Sequence, residues 1–364
     1  MHRSTGRAPG SPPTASVRAA APGNRQGILS RYAAPRLDER LVRLRREVGA
    51  HVVAGLFERA SVLGRRFARD ADPARHGVEV LRDLPYLRSG LPAHTLDVYR
   101  PIERAGPLPL VLYVHGGAFR SLSKDTHWIM GLAFARRGFV VANLNYRLAP
   151  EHRFPAGLED VAEAFRFAVD HAAAWGADPA RVIFAGESAG ANLVTALTCA
   201  IHYERDEPLA RVARSVGVSP LAVLAACGAF QVSNGERFQE KYGFGWFFND
   251  RFCELAELYL PLVNGKPKSH DLADPLLLLE REAPVRPLPP FFLPVGTLDH
   301  LKDDHARMEV ALRRHGADVE APLYDKGVHA FHALVTWETA RRCWRDHFDF
   351  LRRRGVPVWE RPED

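Results

Sequence analysis

The stretch Ala185-Gly186-Glu187-Ser188-Ala189-Gly190-Ala191-Asn192-Leu193 decides how the rest of the chain reads. It holds the pattern G-x-S-x-G. Ahead of it, Arg181-Val182-Ile183-Phe184-Ala185 is a short apolar run bounded by turn residues; behind it, Ala191 to Ala200 is rich in helix formers. Strand, sharp turn and helix are the setting in which this pentapeptide becomes a nucleophile elbow. The turn is so tight that the positions two before and two after the serine must be small, which Gly186 and Gly190 satisfy. Ser188 Oγ would then stand clear of the backbone, with the N–H of Ala189 aimed at a developing oxyanion from a helix N-terminus. Gly, Ser and Ala are common, and a purely structural strand-to-helix turn looks the same. The pattern needs partners.

Outward from the elbow, short apolar runs alternate with helical periods. Leu108 to Val114 is continuously apolar and too short for a helix between Pro107 and Gly116, which predicts a strand buried on both faces and therefore a parallel or mixed sheet. It ends in His115-Gly116-Gly117-Ala118-Phe119, where small residues leave main-chain N–H groups free to face a ligand, or form an ordinary Gly-Gly turn. A helix from Trp128 to Arg137, a strand from Phe139 to Leu144 and a helix through Leu158, Val161, Phe165, Ala168 and Ala172 follow. Between the last two lies a polar, Pro-bounded loop from Asn145 to Ala156. Beyond the elbow, strands are expected at Ala222 to Ala226, Pro290 to Val295 and Val319 to Tyr324. The last helix should bury a face of Trp337, Ala340, Trp344, Phe348 and Leu351. Upstream, Thr95 to Tyr99 reads as a short strand and Val78 to Leu84 as extended. This is an α/β chain.

Residues 231–270 interrupt the alternation with Phe238, Tyr242, Phe244, Trp246, Phe247, Phe248, Phe252 and Tyr259, and are expected to form a cap insertion lining an apolar pocket rather than plain core. Leu41, Leu44, Val48, Val52 and Leu56 recur at helical spacing, with a second helical piece through Phe67, so 31–90 reads as N-terminal cap helices. Residues 1–30, rich in Ala, Pro, Gly, Ser and Arg, read as a disordered extension. That leaves 91–364 as the catalytic domain.

Composition excludes several classes. The four cysteines (Cys199, Cys227, Cys253, Cys343) show no paired spacing, which argues against a zinc site or a disulfide framework and favours a reducing, cytoplasmic compartment. No apolar run approaches the roughly 20 residues of a membrane span. The net charge is +6, concentrated in residues 1–70, which carry 14 Arg, no Lys and 5 acids. Nucleic-acid binding is the sharper reading of that bias. Lys is scarce throughout (6 against 43 Arg) and aromatics are sparse in the basic segment, so no base-stacking platform is present and no nucleic-acid partner is expected.

Four elements lie just past the ends of expected buried strands: the His115-Gly116-Gly117-Ala118 run, Ser188, Asp299 and His329. A serine hydroxyl needs a base to take its proton, a role for His329, and an acid to hold the imidazole, a role for Asp299. Asp303 and Asp304 compete for the acid but fall in the next helix's first turn, where acids commonly cap. His300, His305 and His332 compete for the base, and His115 reads as support for the loop it begins. Metal binding is not expected, since no ligand-helix pairing of histidines or cysteines occurs.

With these motifs in order, the chain resembles the hormone-sensitive-lipase-like, or fold-3, branch of α/β-hydrolases. His115 to Ala118 is similar to H-G-G-G, Tyr146 to Ala156 to Y-R-L-A-P-E-x-x-F-P-A, and Gly186 to Leu193 to G-D-S-A-G-G-N-L. Asp299-x-Leu301-x-Asp303 and His329-Ala330-Phe331 are similar to D-x-L-x-D and H-G-F. The resemblance covers roughly residues 95–350. It implies an α/β-hydrolase fold, a mostly parallel sheet flanked by helices and a helical cap. It implies a carboxylic-ester hydrolase with nucleophile Ser188, acid Asp299, base His329 and an oxyanion hole of Gly116, Gly117, Ala118 and Ala189. The substrate would be a small-molecule ester with a short- to medium-chain acyl or aryl group, with water as second reactant and no cofactor; a homodimer is compatible with it. An amidase of the kynurenine formamidase type and a silent, receptor-like relative are the alternatives; Phe119 and the Y-R-L-A-P-E loop count against the first and His329 against the second. Ala118, Glu187 and Ala330 depart from the family pattern without removing a catalytic group.

Overall fold

Val78–Pro85 (β1), buried at Val78 and exposed at Glu79, Arg82, Asp83 and Pro85, is a partly solvated edge strand, and Thr95–Pro101 (β2) pairs antiparallel with it. The structure, a computed structural model, describes residues 71–360 apart from 104 and 243–245, together with 2, 55, 59 and 61. The chain divides into residues 1–45 and residues 46–364, and all the elements described here belong to the second unit. After β2 come Leu108–Val114 (β3), Trp128–Ala135 (α1), Val140–Leu144 (β4), Ala156–Trp175 (α2), Ala177–Glu187 (β5), Ala189–His202 (α3), Pro208–Ser215 (α4) and Ala222–Ala226 (β6). Glu236–Tyr242 (α5), Trp246–Tyr259 (α6), a ribbon of Leu262–Val263 (β7) with Lys266–Pro267 (β8), and Pro275–Arg281 (α7) follow. The chain continues through Phe291–Phe292 (β9), Val295–Gly296 (β10), Lys302–Arg314 (α8), Val319–Glu320 (β11), Leu323–Tyr324 (β12) and Glu338–Arg353 (α9).

Eight strands form one sheet in the order β1-β2-β4-β3-β5-β6-β9-β11. Only the β1–β2 and β2–β4 pairs are antiparallel; from β4 onward every pair is parallel. All residues of β3, β4 and β6 are buried, because helices cover both faces. Each fully buried Leu or Val of these strands contributes about 1.5–3 kcal/mol of transfer free energy. β3 feeds β4 on one side, while β5, its other neighbour, feeds β6 in the opposite direction. The crevice between their C-terminal ends, where Val114 pairs with Gly186, is the switch point at which open α/β sheets bind ligands.

Several expectations need correction. Val78 to Leu84 belongs to the sheet as edge strand β1, so 31–90 is not wholly cap. The strand expected at Pro290 to Val295 divides into β9 and β10, and that at Val319 to Tyr324 into β11 and β12; β10 and β12 form a separate parallel pair. Pro294 and Pro322 stand at the breaks, where a missing N–H interrupts a ladder. Trp337 is 46% exposed at the start of α9 instead of on its buried face. Phe238 and Tyr259 are core: Phe238 packs with Ala229 and Leu301, and Tyr259 stacks on Phe119. Phe244, the side chains of Tyr242, Trp246, Phe247, Phe248 and Phe252, the extension 1–30 and the helix from Leu41 to Leu56 lie outside the described residues, save that Gly55, Arg59 and Ser61 are helical.

Candidate active site

Ser188 stands between β5 and α3 with φ 52° and ψ −115°, a conformation that L residues rarely adopt. The neighbouring glycines explain how the chain tolerates it. A Cβ on Gly190 would lie 2.0 Å from the Val114 carbonyl oxygen, and one on Gly186 2.7 Å from the backbone of Gly190. Only bare backbone fits this crossing of strand and helix. Asn192 fixes what lies beyond, its Nδ2 donating to the carbonyls of Ala229 at 2.7 Å and Ala273 at 3.0 Å.

His329 Nε2 is 3.0 Å from Ser188 Oγ, and His329 Nδ1 is 2.9 Å from Asp299 Oδ2. Asp299 is 2% exposed, and its other oxygen accepts the Leu301 N–H at 2.9 Å. Burial pushes the Asp299 pKa up, but His329 and the Leu301 N–H prevail and hold it below the usual carboxylate value. Burial presses His329 down; the Asp299 carboxylate and the Glu187 charge prevail, and its pKa stands above the ordinary imidazole value. The His329 side chain is 46% exposed at the cleft surface, so solvent tempers that rise.

The H-G-G-A run carries an unusual backbone: φ is 108° at Gly117, 54° at Ala118 and 60° at Phe119. Ala118 thus adopts the left-handed conformation that its methyl group disfavours. The loop is held from outside. Tyr146 Oη donates to the His115 carbonyl at 3.1 Å, the Phe119 carbonyl accepts the Ala149 N–H at 2.8 Å, and the His115 ring stacks on Tyr146. Arg147, gripping Asp160 through Nε at 2.9 Å, anchors that supporting loop in turn. Burial, with His127 alongside, pushes the His115 pKa down to about 3, leaving a neutral ring whose Nδ1–H donates to the Gly116 carbonyl at 2.7 Å. The N–H groups of Gly117, Ala118 and Ala189 make no hydrogen bond among the described residues. The Gly116 N–H likewise makes none among the described residues, and a Cβ there would lie 3.1 Å from the Glu187 carbonyl, so the loop packs closely onto β5.

Three of the competing residues, His305, Asp304 and Asp303, are engaged elsewhere. His305 is buried; its Nε2 accepts the Gly228 N–H at 2.7 Å, and burial pushes its pKa down to about 4. Asp304 is not a helix cap as expected: it is 1% exposed, pairs with Arg237 at 2.8 Å and accepts the Gln231 N–H. Asp303 pairs with Lys241 at 2.6 Å. Two features were missed in the sequence, the neighbours of Glu187 and of Cys227. Glu187 sits between His127 and His332, each Nε2 2.7 Å from one carboxylate oxygen. Cys227 lies with ligand atoms of Asp299 and His329 all within 4.8 Å of one another. No signal in the sequence marks either, since their partners lie tens of residues away.

Among known proteins, residues 111–333 match the family model described as the alpha/beta hydrolase fold. The chain is 31% identical over 261 residues to the carboxylesterase NlhH of Mycobacterium tuberculosis, covering 70% of this chain and 77% of that one. It is 31% identical over 239 residues to an acetyl-hydrolase of Streptomyces hygroscopicus, covering 65% and 72%. The fold superimposes on a bacterial heroin esterase with a TM-score of 0.65 at 24% identity, covering 82% and 90%. A hyperthermophilic esterase from the archaeon Pyrobaculum calidifontis gives 0.66 at 24% identity, covering 86% and 98%. Among the described residues no helix is long and apolar enough to cross a membrane.

Proposed function

Because the chain belongs to the α/β-hydrolase family, in its hormone-sensitive-lipase-like branch, we propose that it is a serine carboxylesterase acting on short- to medium-chain acyl or aryl esters. The observation that carries this reading is the chain of contacts Ser188 Oγ to His329 at 3.0 Å and His329 to Asp299 at 2.9 Å. A tetrahedral oxyanion needs donors, and the unengaged N–H groups of Gly117, Ala118 and Ala189 supply them.

Ser188 Oγ attacks the ester carbonyl carbon while His329 Nε2 takes its proton. Charge collects on the carbonyl oxygen, where each preorganised N–H lowers the barrier by about 3–4 kcal/mol. The imidazolium, stabilised by buried Asp299, returns the proton to the departing alkoxide, leaving an acyl group on Ser188. Water, deprotonated by His329, then releases the acid and restores the serine. Such a base must be neutral to act, so activity should rise as His329 loses its proton.

The test is hydrolysis of p-nitrophenyl esters from C2 to C12 by the purified protein beside Ser188→Ala. Hydrolysis that disappears in the variant, with an optimum at short or medium chains, is expected. A folded wild type no faster than the variant on every ester would overturn the reading.

A further inference from the structure

Behind the nucleophile strand lies a buried cluster that the ester chemistry above leaves unused. Glu187, immediately before Ser188, is 5% exposed. Its Oε1 receives His127 Nε2 at 2.7 Å, and His332 Nε2 stands 2.7 Å from Oε2. The second approach has the distance of an ion pair, although Oε2 accepts no hydrogen bond of good geometry. The two histidines come from different loops. His127 precedes α1, and His332 lies in the 3-10 turn Phe331–Ala333, three residues beyond His329. A third loop closes on the same side chain, for a Cβ on Gly116 would lie 3.3 Å from Glu187 Cγ.

The far side of the base loop is pinned as well, Trp344 Nε1 of α9 donating to the His332 carbonyl at 3.0 Å. Between His329 and His332 the chain passes through Ala330 at φ 56°, a conformation that persists only when both ends are held. We propose that Glu187 and His332 are positioning residues for the reaction proposed above, the carboxylate tying the loop that carries His329 to the strand that carries Ser188. Nothing in the ester chemistry itself requires an acid at this position.

The charge has a consequence of its own. Around His329 stand Asp299, Ser188 and the Cys227 thiol, with His300 and His305 at longer range. Around Glu187 stand His127, His332, His115, Tyr113, Tyr146 and Cys227. Burial keeps Tyr113, Tyr146 and Cys227 in their neutral forms, and His115 and His305 are neutral with values near 3 and 4. The fixed negative charges acting on His329 are therefore Asp299 and Glu187. Burial opposes ionisation of Glu187, but its histidines hold the carboxyl well below the usual range, so that charge is present at working pH.

The experiment compares wild type, Glu187→Gln and His332→Gln by p-nitrophenyl butyrate kinetics across pH, with the His329 imidazole titrated by NMR. For Glu187→Gln, kcat is expected to fall about 10- to 100-fold with KM within about twofold, since a misplaced base slows chemistry more than binding. Its acidic limb and the NMR titration of His329 should both move to lower pH, because a charge favouring the imidazolium is gone. His332→Gln should lose kcat comparably without that downward move, since the carboxylate remains. Glu187→Gln with unchanged kcat and limb, or a lower kcat with an unmoved limb, overturns the proposal. If Glu187→Gln does not fold, His332→Gln at wild-type kcat overturns it, and unfolding of both variants assigns the cluster to stability alone. An inactive wild type refutes the esterase reading instead, and the NMR titration still reports on the charge.

Discussion

Replacing Ser188 by glycine should make the protein more stable than replacing it by alanine, although both variants lose the hydroxyl. At φ 52° and ψ −115°, Ser188 occupies a region that costs roughly 1–3 kcal/mol for a residue with a Cβ. Alanine inherits that strain and glycine does not. Against the relief stands the larger entropy of glycine in the unfolded chain, about 0.4–1 kcal/mol. The balance favours Ser188→Gly by roughly 0.5–2 kcal/mol. With an unfolding entropy of about 2.1 cal/mol/K per residue, a folded unit of about 300 residues carries about 0.6 kcal/mol/K, so Tm should rise by about 1–3 °C over Ser188→Ala. Thermal melts followed by circular dichroism at one scan rate measure it, with ester hydrolysis checked to be absent in both. A glycine variant melting at or below the alanine variant would refute the claim that the elbow stores strain.

The other expectations follow from contacts already given. Asp299→Asn should lower kcat by about 10³–10⁴ with little change in KM, because an amide no longer holds the His329 tautomer; steady-state kinetics decide it. The acidic limb of kcat/KM should have its midpoint above the ordinary imidazole value of 6.5, since the folded His329 pKa is raised and the neutral ring is the base; a limb at or below 6.5 contradicts this. Gly190→Ala should fail to assemble the elbow, its Cβ falling 2.0 Å from the Val114 carbonyl oxygen, and should show both a lowered Tm and lost hydrolysis. Ala118→Gly and Ala330→Gly, each at φ above 50°, should each stabilise the fold by about 0.5–1 kcal/mol, read as a higher denaturant midpoint.

What could be read from the residues divides along the range of the forces involved. The central strands were legible because burial on both faces leaves an uninterrupted apolar run, as in Leu108 to Val114, and the elbow because its crossing admits only glycine at positions 186 and 190. The order Ser188, Asp299, His329 led to three residues that share one line of contacts. Asp304 was misjudged because its place in a first turn suggested a cap, while its partner Arg237 lies 67 residues away. Phe238 and Tyr259 were misjudged for the same reason: an aromatic run does not say which neighbours it will meet. The breaks at Pro294 and Pro322 were visible as prolines, yet an apolar run on either side outweighed them.

Those two breaks have an outcome for how the site is assembled. Asp299 and His329 leave the ends of β10 and β12, which pair with each other, Val295 opposite Leu323 and Gly296 opposite Tyr324, and with no strand of the main sheet. Gly296 and Gly327 are pressed together so closely that a Cβ on the first would fall 2.0 Å from the carbonyl oxygen of the second. Acid and base thus form one cassette, docked against a nucleophile borne by separate scaffolding. Chimeras that exchange residues 295–330 as a block should keep the two partners matched, whereas a crossover between them would divide a pair built to travel together.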